Sequence, residues 1–204
     1  MRIISGEFKG RVLKSPIPDG VRPTTDKNRE TVFNIINNYV DFDEVIVLDL
    51  FSGAGMLGIE ALSRGAEFCI FNDKNHKVNK LIDSFIDELQ ISKSRLANFN
   101  LDGFSLLTQL LINQNLLQSV YNSEHKINLV FSDPPYSLRA GNKLLNIINT
   151  HFNEESAISS NCIFVFEYSY TETINYNLLG IESKIEVLQQ KKIGETKIDI
   201  VTFK

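Results

Sequence analysis

The stretch Asp49-Leu-Phe-Ser-Gly53-Ala-Gly55-Met-Leu-Gly58 decides the fold. It is a G-x-G-x-x-G that follows the apolar run 45–51 (VIVLDLF) and opens a helical pattern over 55–64, closed by Gly65. Strand, glycine turn and helix in that order start a nucleotide-binding βαβ unit. Glycines here let the chain turn tightly and bring its backbone close to a ligand at the carboxyl edge of a parallel sheet. Taken alone, the turn serves NAD as well as another nucleoside, and it also suits a tight turn that holds nothing.

Outward from this turn, short apolar runs alternate with helical periods, the signature of a parallel sheet. A strand is expected at 67–72 and a helix at 74–89, with Val78, Leu81, Ile82, Phe85, Ile86 and Leu89 on its apolar face. A strand near 96–101 precedes a helix from about 103 to 117, and the polar stretch 118–126 reads as a surface loop. Then come a strand at 127–132, a helix near 142–152 and a strand at 162–168. The segments 183–191 and 197–203, joined by Ile193-Gly194-Glu195-Thr196, alternate like an antiparallel hairpin. The expected fold is therefore α/β, with five parallel strands and a C-terminal hairpin. Upstream, 2–14 alternates around Gly6 and Gly10 like a small β-hairpin, Pro16, Pro18, Gly20 and Pro23 interrupt any element, and Asp26 is placed to cap a helix reaching about Tyr39.

Two hundred and four residues, 43% hydrophobic and 23% charged, suit one globular domain with a small appendage, divided here as 1–25, a basic extension, and 26–204, the main domain. Cys69 and Cys162 sit in apolar runs without metal-ligand spacing and read as core residues of a protein in a reducing compartment, the cytoplasm. No apolar run approaches the roughly 18 residues of a membrane span. His76, His125 and His151 lack ligand spacing, so no metal is implied. The formal net charge is −4, yet residues 1–29 carry a local +4 and the remainder −8. A polyanionic partner would thus be gripped from the N-terminal end, by Arg2, Lys9, Arg11, Lys14, Arg22 and Arg29, unless the basic stretch is only a solvated surface.

The acids separate the ligands. Asp49, Asp73, Asp102 and Asp133 all fall at or just past expected strand ends, where a pyrophosphate would be repelled and a cation favoured. S-adenosylmethionine, with a sulfonium, an ammonium and no phosphate, is such a ligand, and Asp73, twenty residues past Gly53, is spaced to bind its ribose hydroxyls. After the fourth strand comes Ser132-Asp133-Pro134-Pro135-Tyr136. Two prolines remove two backbone donors and stiffen the turn, leaving the Pro134 carbonyl beside the Asp133 carboxylate as paired acceptors for one NH2 group. Binding both N–H bonds turns the lone pair of a nucleobase amine toward an incoming methyl, and Tyr136 offers a face for the base. Arg139, just beyond, is a candidate phosphate contact.

The pairing of DLFSGAG with DPPY resembles the amino-methylating branch of the class I S-adenosylmethionine-dependent methyltransferases. RIISGEFKGRVLKSP (2–16), RPTTDKNRETVFNII (22–36) and LDLFSGAGMLGIEALSRGA (48–66) look like the bacterial 16S rRNA (guanine-N2)-methyltransferases of the RsmD type. The resemblance is close over 2 to about 76, resumes at Asp102 and 133–141, and reaches Gly194-Glu195-Thr196. It implies a Rossmann-like sheet of seven mostly parallel strands, and cofactor binding by Asp49, Phe51, Ser52, Gly53, Gly55, Gly58, Asp73 and Asp102. It also implies that Asp133, Pro134, Pro135 and Tyr136 hold the target amine, with Arg22, Thr24 and Arg29 over the active site. The implied partner is 16S rRNA or a small-subunit assembly intermediate, met by a monomer. Three positions depart from the pattern: Asp73 stands for a usual Glu, Asn75 for a common second acid, and Ile193 for an aromatic. Alternative readings are a DNA or protein-amide amino-methyltransferase, an NAD-dependent oxidoreductase, and a non-catalytic RNA-binding module.

Overall fold

The computed structural model describes residues 1–18, 24–121, 124–176 and 184–204. The chain divides into two compact units, Met1–Asp102 and Gly103–Lys204.

The first unit is built on three parallel strands, β1 (Ile46–Asp49), β2 (Phe68–Asn72) and β3 (Leu96–Phe99), in the order β3-β2-β1. Ile46 lies opposite Phe68, and Cys69 opposite Leu96. Every residue of β1 and β2 is buried, which is why both read as unbroken apolar runs instead of an alternation. Helix α1 (Asp26–Ile36) is capped by Thr25, whose hydroxyl accepts from the Asn28 N–H at 3.2 Å. Asp26, expected as the cap, is instead the first helical residue, and the helix stops short of Tyr39. Helix α2 (Met56–Ser63) follows the glycine turn, and α3 (His76–Leu89) buries the six apolar residues expected of it. Asn75, which the family pattern would make an acid, caps α3 by accepting from the Lys77 N–H at 3.1 Å.

The opening residues form the expected hairpin only in a minimal, irregular form. The two arms pair only briefly, through one antiparallel bridge, Arg2 to Val12, with the Ile3 N–H on the Arg11 carbonyl at 3.0 Å and the Leu13 N–H on the Met1 carbonyl at 2.8 Å, and the chain turns other N–H groups to the helices beneath it. Ile4 and Ser5 N–H donate to the Glu60 carboxylate, Phe8 N–H to the Ser63 hydroxyl, and Lys14 and Ser15 N–H to the Glu88 carboxylate. Hydrogen bonds from the Ser15 hydroxyl and from those two N–H groups hold the Glu88 carboxyl below its usual range.

The second unit holds β4 (Ile127–Ser132), β5 (Ile158–Ser169), β6 (Ile185–Ile193) and β7 (Thr196–Phe203) in the order β4-β5-β7-β6. β4 and β5 are parallel, whereas β5–β7 and β7–β6 are antiparallel. The expected C-terminal hairpin is present; Ser183, its expected first residue, lies outside the described residues. β5 starts four residues before its expected start at Cys162, through the polar Ser159-Ser160-Asn161, where its register with β4 shifts. The helix expected over 103–117 is two helices, α4 (Gly103–Ile112) and α5 (Asn115–Val120). Asn113 breaks it: its side-chain oxygen takes the Asn115 N–H at 3.1 Å, offering the backbone a local partner in place of the helical one. Helix α5 also occupies the start of the stretch read as loop. Helix α6 (Gly141–His151) packs against α4. Cys69 and Cys162 are free and fully buried, as their apolar surroundings implied. Among the described residues no helix is long and apolar enough to cross a membrane.

Candidate active site

In the first unit, Asp49 ends β1 and Asp73 follows β2, and both carboxylates point at the glycine turn. Asp49, 3% exposed, accepts the Gly58 N–H at 3.0 Å through Oδ2, a carboxylate at the positive end of α2. Asp73, half-buried, accepts the Gly53 N–H at 3.0 Å and the Asn75 N–H at 2.8 Å. The turn is further pinned by Ser52, whose N–H and hydroxyl both donate to the Asn72 carbonyl, at 2.9 and 3.2 Å. Phe51 is half-buried beside it, and Asp102, the last residue of the unit, is exposed.

Gly55 and Gly58 are needed for reasons that can be stated separately. Gly55 caps α2 at φ +71°, a backbone conformation that costs an L side chain energy. A Cβ on Gly58 would stand 2.3 Å from a Phe71 ring carbon and 2.7 Å from the Cys69 sulfur, so this glycine lets α2 lie on β2. Burial, with the Asp49 charge adding to it, pushes the Cys69 thiol up, so it sits there as a small neutral hydrophobe.

One residue that the sequence did not single out organises this edge. Asn72, fully buried, donates to the Leu50 carbonyl at 2.9 Å and the Leu101 carbonyl at 3.3 Å, and accepts the Leu101 N–H at 3.1 Å. It thereby ties the ends of β1, β2 and β3 together. An amide closing an otherwise apolar strand was the available signal.

The donor and acceptor balance of the turn discriminates between ligands. A dinucleotide needs the N–H groups of the turn and helix start for its pyrophosphate. Here Asp49 and Asp73 have taken two of them, at Gly58 and Gly53, and residues 49–58 contain no Lys or Arg. The edge offers carboxylate lone pairs, which suit hydroxyls and cationic centres.

In the second unit, β4 delivers Asp133, half-buried, then Pro134, buried, and Pro135, exposed. A short 3₁₀ turn, Tyr136–Leu138, follows, closed by the Leu138 N–H on the Pro135 carbonyl at 2.9 Å. The Tyr136 hydroxyl lies 2.6 Å from the Thr196 hydroxyl at the start of β7, which fixes the ring beside the turn. The C-terminal Gly-Glu-Thr is thus part of the Asp133–Tyr136 neighbourhood. Glu172, unremarked in the sequence, accepts the Gly141 N–H at 2.9 Å and so caps α6. Among the described residues no group of three or more His, Cys, Asp or Glu is arranged to hold a metal.

The basic residues divide. Arg2, Lys9, Lys14 and Arg139 are exposed; Arg139 adopts φ +43°. Arg11 is exposed, but its guanidinium donates to the Glu88 and Leu89 carbonyls at the end of α3. Thr24 is half-buried and accepts from Arg29 through its carbonyl. Arg22 lies outside the described residues. Arg29 corrects the sequence reading: it is 0% exposed and bound to the Arg2 carbonyl, to Asp26 at 3.0 Å and to Glu60 at 3.6 Å. A guanidinium so enclosed holds the fold and presents nothing to the surface.

The architecture is shared with solved methyltransferases. A putative methyltransferase from Escherichia coli matches with a TM-score of 0.72 over 100% of this chain and 98% of that one, at 22% identity. A putative methylase from Haemophilus influenzae matches at 0.70 over 99% and 97%, at 24% identity. The fold is therefore the Rossmann-like class I methyltransferase fold, seven strands with an antiparallel C-terminal pair. The profile of the family described as "Conserved hypothetical protein 95" matches residues 1–202, and the chain belongs to that family. A Bacillus subtilis relative named as a putative rRNA methyltransferase is 39% identical over 151 residues, 74% of this chain and 75% of that protein. The E. coli protein named ribosomal RNA small subunit methyltransferase D is 32% identical over 148 residues, 72% of this chain and 66% of its own length. These relatives bear out the resemblance read from the motifs.

Proposed function

We propose that this protein methylates the exocyclic N2 amine of a guanine in 16S ribosomal RNA, with S-adenosylmethionine as donor. The observation that carries the reading is the Asp133–Tyr136 turn, with its aromatic ring held through Thr196, in a chain whose relatives are named as rRNA methyltransferases. The donor, when bound, supplies an electrophilic methyl group on a sulfonium. Asp73 accepts hydrogen bonds from its ribose hydroxyls, and Asp49 and Asn72 hold the turn in the shape that receives it. Asp133 and the Pro134 carbonyl each accept one N–H of the target amine, which directs the nitrogen lone pair out of conjugation with the ring. The Asp133 charge then stabilises the positive charge that develops on that nitrogen and is the adjacent acceptor for the proton the nitrogen gives up to become neutral, while Tyr136 stacks on the base. Arg2, Lys9, Lys14 and Arg139 are available to phosphates. An NAD-dependent oxidoreductase is disfavoured by the occupied N–H groups of the turn.

The test is methyl transfer from labelled donor to small-subunit particles and to free 16S rRNA, followed by mapping. The reading expects label in N2-methylguanine at a defined site. Label only in DNA or protein, or on another atom of the RNA, would overturn it.

Asp73 gives a sharper check on the cofactor half. Asp73→Ala is expected to weaken binding of the demethylated product by roughly 10- to 150-fold, the worth of a charge-assisted hydrogen bond of about 1.5–3 kcal/mol. It should also lower the melting temperature, since the Gly53 and Asn75 N–H groups lose their acceptor. Titration calorimetry separates the two effects. Normal affinity in a less stable mutant would leave Asp73 as a turn-holder alone.

A further inference from the structure

The proposed RNA reading uses only Thr196 at the tip of the C-terminal hairpin, and the other face of this tip carries an arrangement that is costly in an isolated protein. Lys192 of β6 stands directly opposite Lys197 of β7 in the antiparallel register, so the two ammonium groups share one face of the hairpin. Like charges at such a position destabilise the pair. Among the described residues neither has a carboxylate within ion-pair distance. The acids nearby are otherwise engaged or turned to solvent. Asp199, buried on the same face, receives the Tyr168 and Tyr176 hydroxyls at 2.7 and 2.6 Å and the Gln190 amide at 3.0 Å. Glu172 caps α6, and Glu195 is exposed in the turn.

Two aromatic rings stand beside these lysines, Tyr170 exposed and Tyr168 buried. The Lys192 ammonium lies 5.0 Å from the Tyr170 ring centroid, and that of Lys197 lies 5.8 Å from the Tyr168 ring. Lys197 also donates to the Glu172 carbonyl at 3.1 Å, which leaves further N–H bonds on the same ammonium. Tyr170 is 44% exposed, high for so large a ring, and its N–H is fixed on the Glu195 carbonyl at 2.9 Å. The ridge and the target-binding turn meet the same end of the hairpin from its two faces: Thr196, which holds the Tyr136 hydroxyl, precedes Lys197 in β7 and pairs with Ser169, the residue before Tyr170.

We propose that Tyr170, Lys192 and Lys197 form a second RNA contact that holds a nucleotide flanking the target, its base on the Tyr170 ring and its phosphate between the two ammonium groups. Positive charge beside an exposed ring on which a base can stack is how single strands are bound without regard to sequence, and Tyr170 is the exposed ring here. An entering phosphate also removes the repulsion that the free hairpin bears. This proposal rests on the RNA reading above and adds to it the side of the protein over which the strand runs.

The test is fluorescence anisotropy of the full chain with a short unstructured RNA oligonucleotide over a salt series, alongside methyl transfer to 16S rRNA. Tyr170→Ala should weaken oligonucleotide binding by roughly 5- to 150-fold, the range for loss of one stacked base, and Tyr170→Phe should retain it. Lys192→Gln should reduce the salt slope by about 0.7, whereas Lys80→Ala, which removes an equal charge from α3, should not. Lys192→Gln should melt no lower than wild type, because a repulsion is relieved. Wild-type affinity in both Tyr170→Ala and Lys192→Gln, with methyl transfer intact, would overturn the ridge and leave the RNA reading standing. A lower melting temperature for Lys192→Gln would overturn the strain argument and with it the ridge. Failure of the wild-type protein to bind or methylate any RNA would remove both.

Discussion

Replacing Asp133 by alanine is expected to lower turnover by at least about 100-fold while cofactor affinity stays near wild type. An exocyclic amine is a poor nucleophile because its lone pair is delocalised into the ring, so the group that accepts its N–H bond and faces its developing charge acts mainly in the transition state. Pro134 and Pro135 cannot stand in, since proline offers a carbonyl but no charge. The Tyr136 ring remains anchored on Thr196, so base binding weakens less than turnover does. Asp133→Asn, which keeps an acceptor oxygen and loses the charge, should fall between wild type and alanine. Single-turnover transfer to RNA, with the product's affinity measured separately, makes the distinction. Retained turnover in the alanine variant would return the Asp133–Tyr136 segment to being a stiff turn.

How far the sequence disclosed this arrangement depended on whether a residue's partners lie close in the chain. β1 and β2 were plain because strands covered on both faces are continuously apolar, and α3 was plain because its six buried residues keep helical spacing. The α4–α5 break was hidden: leucines continue the helical period across it, and a single Asn113 side chain turns the chain aside. The early start of β5 was hidden by three polar residues that join the strand through a register shift. In the site, the glycines and acids were visible as types and spacings, but what they do was not. Asp49 reads as a ligand residue and proves to hold the α2 N-terminus, while Asn72 clamps three strand ends from a position that carries no motif. Arg29 was misread for a related reason. A basic residue in a basic segment looks like a phosphate contact, and only the fold shows a buried glutamate from α2 beside it.

That glutamate sets the largest expected effect on stability. Glu60 is 0% exposed and is met by the Ile4 and Ser5 N–H groups at 2.9 Å each, by Arg64 at 3.1 Å and by Arg29 at 3.6 Å. Glu60→Ala strands the enclosed Arg29 guanidinium with Asp26, itself half exposed, as its remaining counter-charge, and leaves two backbone donors orphaned. Breaking a buried ion pair from one side costs about 3–5 kcal/mol, a large part of the roughly 5–15 kcal/mol by which a domain is stable. The midpoint of denaturant unfolding reads this directly, and a loss below about 1 kcal/mol would show that water reaches Arg29 after all. Arg29→Met should be comparably harmful alone, because it leaves the Glu60 carboxylate with Arg64 as its remaining counter-charge. The double variant Arg29→Met with Glu60→Ala should be distinctly less destabilised than the sum of the two, since no buried charge is then left alone. It should not return to wild type, because Ile4 and Ser5 still lack their acceptor. The residual loss therefore measures what the carboxylate does as the anchor of the basic N-terminal segment, and RNA affinity should fall with that loss instead of with the Arg29 charge.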